Sequence, residues 1–444
     1  MRSEKVLVRL ICKCTQWLLK KVGRGTSFPG RLALWLDKDF LGGFQKPELL
    51  IFVTGTVGKT TTAAMITEAL KRAGYKVAGN GKGSNLLAGV CSLFAESCSI
   101  GGRPKVEAMV VEIDERYVKT VLPYMTPDYL LINNIARDQS ARNGHFDIVF
   151  HDICDHMDER PHLILNADNP MSYRCSIGRK NKVTYFGVAE NSLSARVSNE
   201  KQDVAYCPVC SCRIAYDYFN FGNFGGYHCT GCDFRRQTPE FEAVLTDGGI
   251  TIDGKEISMA QGALYNAYNM AAAYTVARLA GADGAVIAKA LEGVTFSARR
   301  FQQFSTGEVE GTLLLSKNET PASYTQSLEY ISRCSGDKTV AIGFNRISGR
   351  YDEKDISWLY DIRFELLAED MSVEEIILIG PFAYDLAVRM KVAGIHEDRL
   401  RLVCDGRKAI DEIEKSGSHV YCVFYFDMYR QLVKEISEKG GRVW

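Results

Sequence analysis

Short apolar runs that end in polar residues recur along the first half of the chain. LLIFV (49–53) leads directly into TGTVGKTTT and then TAAMITEALKRAGYK, whose apolar residues fall at helical spacing. EAMVVEID (107–114), DYLLINNI (128–135) and HLILNADNP (162–170) repeat the apolar run with a polar C-terminal end. Uninterrupted apolar runs predict strands covered on both faces, and their alternation with helices predicts a parallel sheet with helices on both sides. Ligands of such sheets bind beyond the carboxyl ends of the strands, where these polar residues lie.

The pattern changes between about 182 and 256, where short strand-like pieces and the turn signals TDGG and IDGKE predict antiparallel hairpins. Helical periodicity returns in GALYNAYNMAAAYTVARLAG and DGAVIAKALEGV. After about 305 a second alternating series begins with TLLLSKN and continues through KTVAIGFN, EEIILIGP, RLRLVC and VYCVFYF. These shifts predict a lead-in over 1–48, an α/β domain over 49–305 with an insert at about 203–236, and a C-terminal α/β domain of Rossmann-like type over 306–444. A chain of 444 residues is long for one core and agrees with several domains.

VLVRLICKCTQWLLKKVGRG, near the N-terminus, mixes Lys and Arg with apolar residues and predicts an amphipathic helix. It lacks the apolar core and cleavage site of a signal peptide, and no run reaches the roughly 18 apolar residues of a membrane span. Packing on its own protein, a membrane surface and a partner all remain open for it. Charged residues make up 24% of the chain and the net formal charge is zero, which argues against nucleic acid as the main ligand. The 14 cysteines include only four at metal-ligand spacing. Scattered thiols of this kind suit a reducing, cytoplasmic location.

VTGTVGKTTT (53–62) follows a strand and opens a helix. Backbone amides in such a loop cradle phosphates, and the helix dipole favours negative charge. Thr54, Gly55, Thr56, Gly58, Lys59, Thr60 and Thr61 are therefore candidate ATP ligands. Lys59 would reach the β- and γ-phosphates, and the Thr60 hydroxyl would meet Mg²⁺. The general P-loop pattern wants a glycine where Val53 stands. Glu112 and Asp114 end the next apolar run, and an acid there, Glu112 first, could hold the metal opposite Thr60.

Cys207, Cys210, Cys229 and Cys232 form C-x2-C-x18-C-x2-C, a zinc-ribbon spacing. Four thiolates fill a tetrahedral Zn²⁺ and leave no open position, so the expectation is a structural module. A nucleic-acid ribbon would need a basic groove, and Arg235 and Arg236 alone supply little.

T-G-T-x-G-K-T-T is the loop form of the Mur ligases, which this sequence resembles. GKGSNLLAG (81–89), EIDE (112–115), NNIARDQ (133–139), NADNP (166–170) and YNAYNMAAA (265–273) follow in the family's order. The cysteine insert and KDISWLYDIRFE (354–365) resemble its MurT type, the ligase-like subunit of lipid II isoglutaminyl synthase. The resemblance spans about 50–444. It implies ATP-dependent phosphorylation of the α-carboxylate of D-isoglutamate in the lipid II stem peptide. Ammonia from a glutaminase partner of GatD type, joined in a heterodimer, would then give D-isoglutamine. By position, Asn266 and Asn269 match the helix that meets the nucleotide, Asn166 and Asp168 the segment near base and ribose, and Arg300 an arginine of the nucleotide site. Asp355 matches an acid thought to complete the partner's Cys–His pair. Glu112 and Lys59 would serve the phosphoryl transfer.

The sequence departs from the family pattern in places. Val57 replaces an asparagine, DQSARNGHFD (138–147) loses two acids, ARRFQ (298–302) keeps only Arg300, and KNETP (317–321) and NRISGRYDEKD (345–355) are altered. These departures leave two alternatives standing beside the amidotransferase: a stand-alone ligase acting on another carboxylate, and a nucleotide-binding scaffold without catalysis.

Overall fold

The computed structural model describes residues 2–21, 27–80, 84–137, 145–198, 202–259, 264–292, 301–316, 320–347 and 355–444. The chain forms two compact units that divide near residue 294.

The first unit is built on a nine-stranded sheet. Its order is Lys255–Ser258, Gly249–Ile252, Phe241–Thr246, Val183–Val188, His162–Asn166, Tyr129–Ile132, Leu49–Thr54, Ala108–Glu112 and Val77–Gly79. The seven strands from Val77–Gly79 to Phe241–Thr246 are parallel, and the last two add an antiparallel meander. Leu49–Thr54 lies between Ala108–Glu112 and Tyr129–Ile132, and every residue of it after Leu49 is buried. That is why the run reads as continuously apolar. The chain fills one side of this strand first and the other side afterwards. Leu49–Thr54 is therefore the topological switch point, and its carboxyl end is where a ligand is expected.

The expected N-terminal helix spans Arg2–Lys21 and packs inside the first unit, with Val8 and Cys12 buried in its core. A second helix, Phe28–Leu36, packs against both it and Leu87–Ser97. The insert is a hairpin, Ile214–Phe221 with Phe224–Cys229, whose two ends carry the cysteine pairs.

The second unit holds a seven-stranded sheet in the order Leu400–Val403, Val373–Ile379, Lys338–Gly343, His419–Phe424, Glu310–Leu315, Phe301–Ser305 and Arg442–Val443. The first five strands pair in parallel, and the last two pairings are antiparallel. Alternate residues supply two cores. Ile342, Leu378 and Val423 face the helices Pro321–Arg333 and Ala383–Val392. Ala341, Ile377 and Cys422 face Phe426–Glu438. Phe301–Ser305 belongs to this sheet, since Ser305 pairs with Glu310 across a tight turn. The boundary expected at 305/306 thus falls inside a hairpin, and the second unit begins before it.

Candidate functional site

The loop after Leu49–Thr54 is held open by backbone geometry. Gly55 and Gly58 have φ of 125° and 87°, values that favour glycine. Gly58 also has no room for a side chain, because a Cβ there would lie 2.2 Å from Asn269 Oδ1. Asn134 braces the loop from the neighbouring strand end. Its carbonyl accepts from the Thr56 N–H at 3.0 Å, its Oδ1 from the Val57 N–H at 2.9 Å, and its Nδ2 donates to the Val57 carbonyl at 3.0 Å. Asn134 bonds to the Val57 peptide and not to its side chain, so the departure from asparagine there leaves the brace intact.

Lys59 opens the helix Lys59–Arg72 and folds back over the loop. Its Nζ donates to the carbonyls of Gly55 and Thr56 and lies 2.7 Å from Glu115 Oε2, in a pair that is almost wholly buried. Thr60 Oγ1 donates to Glu112 Oε1 at 2.9 Å, and Asn85 Nδ2 donates to the same oxygen at 3.0 Å. Asn80 fixes the Glu112 backbone, accepting from its N–H at 2.7 Å and donating to its carbonyl at 2.8 Å. Glu112 Oε2 is buried with no hydrogen-bond partner among the described residues. A buried carboxylate oxygen without a partner is costly unless a cation meets it. Thr60 and Glu112 together fit a hard divalent ion such as Mg²⁺ beside a phosphate.

The structure brings Asn269 to this loop, and Asn266 stands three residues earlier on the same helix, Leu264–Leu279. Asn133 Nδ2 donates to Thr62 Oγ1 at 3.0 Å, and Thr62 Oγ1 donates to Asn269 Oδ1 at 3.1 Å. Thr54 Oγ1 and Asn266 Oδ1 are buried without a partner among the described residues, and Thr61 is half-buried one residue beyond Thr60. Asn166 and Asp168 are engaged internally. Asn166 Nδ2 donates to the Asn133 carbonyl at 3.1 Å and its Oδ1 accepts from the Asp168 N–H at 3.0 Å. Asp168 is fully buried. Its Oδ1 faces Arg236 Nε at 2.7 Å, and its Oδ2 accepts from Tyr268 at 2.6 Å and from the Val188 N–H at 3.0 Å. Burial and the adjacent Asp168 charge push the Tyr268 phenol far above its usual range, so it remains the donor.

The four cysteine sulfurs of the insert lie within 4.8 Å of one another. Cys207 and Cys232 are 3.6 Å apart, Cys210 and Cys229 3.3 Å. The Val209 and Gly231 amides donate to Cys207 Sγ and Cys229 Sγ at 3.4 and 3.3 Å. Burial raises the Cys229 thiol, but the Gly231 amide and the neighbouring cysteines outweigh it and bring it down to about 7. Converging thiols with amides aimed at sulfur fit a tetrahedral thiolate metal centre.

Asp355 stands two residues before the short helix Ser357–Asp361, and its Oδ1 accepts from the Ser357 N–H at 2.8 Å in an Asx-type turn. Arg300 lies outside the described residues. So do 81–83, 138–144, 317–319 and 348–354, which carry parts of the family motifs. Sequence reasoning missed Glu115, Asn134 and Arg236 as functional residues. Glu115 and Asn134 stood within quoted motifs, whereas Arg236 had no local signal pairing it with Asp168.

The chain matches the family model described as Mur ligase middle domain over residues 53–224 and that described as MurT ligase C-terminal over residues 315–428. It is similar to "Lipid II isoglutaminyl synthase (glutamine-hydrolyzing) subunit MurT" of Staphylococcus aureus, with 32% identity over 84% of each chain. The subunit of the same name from Streptococcus pneumoniae is 30% identical over 95% of this chain and 94% of that one. Among solved structures, a pseudomurein peptide ligase type C from Methanothermus fervidus superposes with a TM-score of 0.65 at 20% identity, covering 90% of this chain and 81% of that one. MurF from Acinetobacter baumannii gives 0.61 at 17% identity, covering 92% and 80%. MurF ligase from Thermotoga maritima, solved in complex with ADP, gives 0.55 at 17% identity, covering 93% and 84%. Likeness at such identities shows a shared fold.

Proposed function

The chain belongs to the MurT type of the Mur ligase family, whose members are ATP-dependent ligases, and we propose that it amidates the α-carboxylate of D-isoglutamate in the lipid II stem peptide. The observation that carries the phosphoryl chemistry is the Thr60–Glu112 hydrogen bond with its unpartnered Glu112 oxygen, beside Lys59 at the head of a helix. The name of the two relatives, lipid II isoglutaminyl synthase, supports the acceptor and the amidation.

In the proposed reaction a carboxylate oxygen of the acceptor bonds to the γ-phosphorus of ATP while the bond from that phosphorus to the bridging oxygen breaks. ADP leaves and an acyl phosphate remains. Ammonia then bonds to the carbonyl carbon, phosphate departs with the C–O electron pair, and the nitrogen loses a proton. Phosphorylation makes a poor electrophile reactive, and the protein contributes mainly position and charge. Lys59 would exchange Glu115 for oxygens of the transferring phosphoryl group. Amides of the 55–60 loop would cradle the β-phosphate. Thr60 and Glu112 would hold Mg²⁺, which neutralises phosphate charge when bound. Asn269 keeps the helix start in register with the loop, and Asn266 offers its buried amide oxygen to the nucleotide.

Ammonia would come from a GatD-type glutaminase in a cytoplasmic heterodimer, with Asp355 completing the partner's Cys–His pair by orienting the imidazole. The position of Asp355, outside the sheet on an exposed turn, supports this role. The four cysteines would hold one structural Zn²⁺.

The test combines the purified chain, the glutaminase, ATP, glutamine and lipid II, with the product read by mass spectrometry. Amidation only when all are present is the expected result. A complex that hydrolyses glutamine and ATP yet leaves lipid II unamidated overturns the acceptor, and ligation of an amino acid without glutaminase would favour a stand-alone ligase. Asp355→Ala should abolish glutamine-dependent amidation while sparing the reaction fed with ammonium salt.

A further inference from the structure

The helix Arg2–Lys21 carries apolar residues on two faces, and the fold covers one. Cys12 and Gln16 point inward, and Gln16 Nε2 donates to the Ser92 carbonyl at 2.7 Å. On the other face Leu7, Leu10, Cys14 and Trp17 recur at three- and four-residue helical spacing, Leu18 adjoins the last of them, and all stay exposed, Trp17 at 60% and Leu7 at 57%. The helix Phe28–Leu36 runs antiparallel beside it. Lys5 meets Asp39 at 2.6 Å near one end, and Ser92 receives both Gln16 and the Gly30 amide near the other. Trp35 on this second helix is 80% exposed.

Charge follows the same segment. The first 46 residues hold ten Lys and Arg against three Asp and Glu, seven net positive charges. The whole chain is neutral, so the remaining residues carry seven net negative charges. Lys21 Nζ lies 3.8 Å from the centre of the Trp17 ring, at the end of the exposed stripe. An outward apolar stripe with tryptophans, set among basic residues on an otherwise acidic molecule, matches the physics of helices that lie in a bilayer interface.

We propose that this helical pair docks the protein on an anionic phospholipid surface, with Leu7, Leu10, Trp17 and Leu18 in the interfacial zone and the lysines and arginines among the headgroups. The physiological purpose rests on the lipid-linked acceptor proposed above. Docking brings the phosphate-binding unit to a substrate confined to the bilayer, and the segment's positive charge selects a lipid surface with negative headgroups.

Flotation of the full-length protein with vesicles tests this. Vesicles containing phosphatidylglycerol should carry the protein up, shift its tryptophan emission to the blue, and release it at high salt. Vesicles of phosphatidylcholine alone should bind it far less. The double variant Trp17→Ser, Leu18→Gln should keep its ATP hydrolysis and melting temperature and lose about tenfold or more in vesicle affinity. The proposal is overturned if the wild type fails to float with phosphatidylglycerol at low salt, or if the double variant floats equally well. Self-association abolished by the double variant, with no flotation, would assign the face to a second copy instead. No lipid II enters the vesicle measurement, so a wrong acceptor and a wrong docking surface fail separately.

Discussion

Arg236 Nε lies 2.7 Å from Asp168 Oδ1, and this pair joins the cysteine insert to the segment behind the nucleotide loop. Arg236 stands four residues after Cys232, and its Nη2 also meets Glu242 at 2.7 Å. The Gly225 amide, within the insert's hairpin, donates to the Asp168 carbonyl at 3.1 Å. Removal of the zinc proposed for the insert should therefore loosen residues 204–236 first and then weaken ATP binding, without direct damage to Lys59. Hydrogen exchange with and without chelator, alongside nucleotide calorimetry, checks the order. Arg236→Met should destabilise the first unit by about 3 kcal/mol, since it strands a buried carboxylate, and should raise the ATP KM more than it lowers kcat.

Gly58 is the tightest point of the phosphate loop. Gly58→Ala imposes both a clash with Asn269 and a φ of 87° on a residue with a side chain. The strain is of the order of 1–3 kcal/mol, and ATP binding should fall steeply. Gly58→Ala combined with Asn269→Ala relieves the clash and keeps the backbone strain, so calorimetry should show at most partial recovery.

Glu112 and Lys59 separate by what each would touch. Glu112→Gln removes the charge opposite Thr60 and should raise the Mg²⁺ concentration needed for ATP hydrolysis while leaving the fold unchanged. Lys59→Ala should cost about a hundredfold to a thousandfold in turnover at saturating Mg²⁺. Glu115→Gln frees Lys59 from its ion pair and should tighten nucleotide binding, measured by titration. Unchanged affinity in that variant would show that the pair does not compete with phosphate.

In the second unit Lys338 Nζ lies 2.7 Å from Asp370 Oδ2, and the lysine side chain is 2% exposed. Burial raises the Asp370 carboxyl, but hydrogen bonds from Lys338 and Ser372 outweigh it and hold it below the usual carboxylate range. A lowered carboxylate contributes stability that is present above its unfolded value, about 3.9, and lost as pH falls through the folded value. Asp370→Asn should thus cost about 3 kcal/mol at pH 7, and the deficit should shrink as acid protonates the wild-type carboxyl. Urea unfolding across the pH range reads this directly.

The parallel strands were legible because burial on both faces leaves an unbroken apolar run, as in LLIFV and EEIILIGP. Phe301–Ser305 was not, because FQQFS carries two glutamines and forms its strand through Glu310–Leu315 and Arg442–Val443. The phosphate loop itself was visible as a local motif, because Thr54 to Thr61 lie together between an apolar run and a helical period. Glu115, Arg236 and Tyr268 act through contacts 56, 68 and 100 residues distant, and no spacing rule anticipates such closures. The N-terminal periodicity revealed an amphipathic helix, but not which of its two apolar faces the fold would cover.

The contact between Asn269 and Gly58 also bears on how the protein is made. The loop leaves the ribosome more than two hundred residues before the side chain that braces its helix. Domains fold as units once their sequence has emerged, so a nascent chain that stops short of Leu264 carries the whole phosphate motif in an unfinished pocket. Ribosome-bound chains of increasing length should acquire nucleotide affinity in one step, as the helix Leu264–Leu279 clears the exit tunnel. ATP capture would then report completion of the first unit, well before the second has been synthesised.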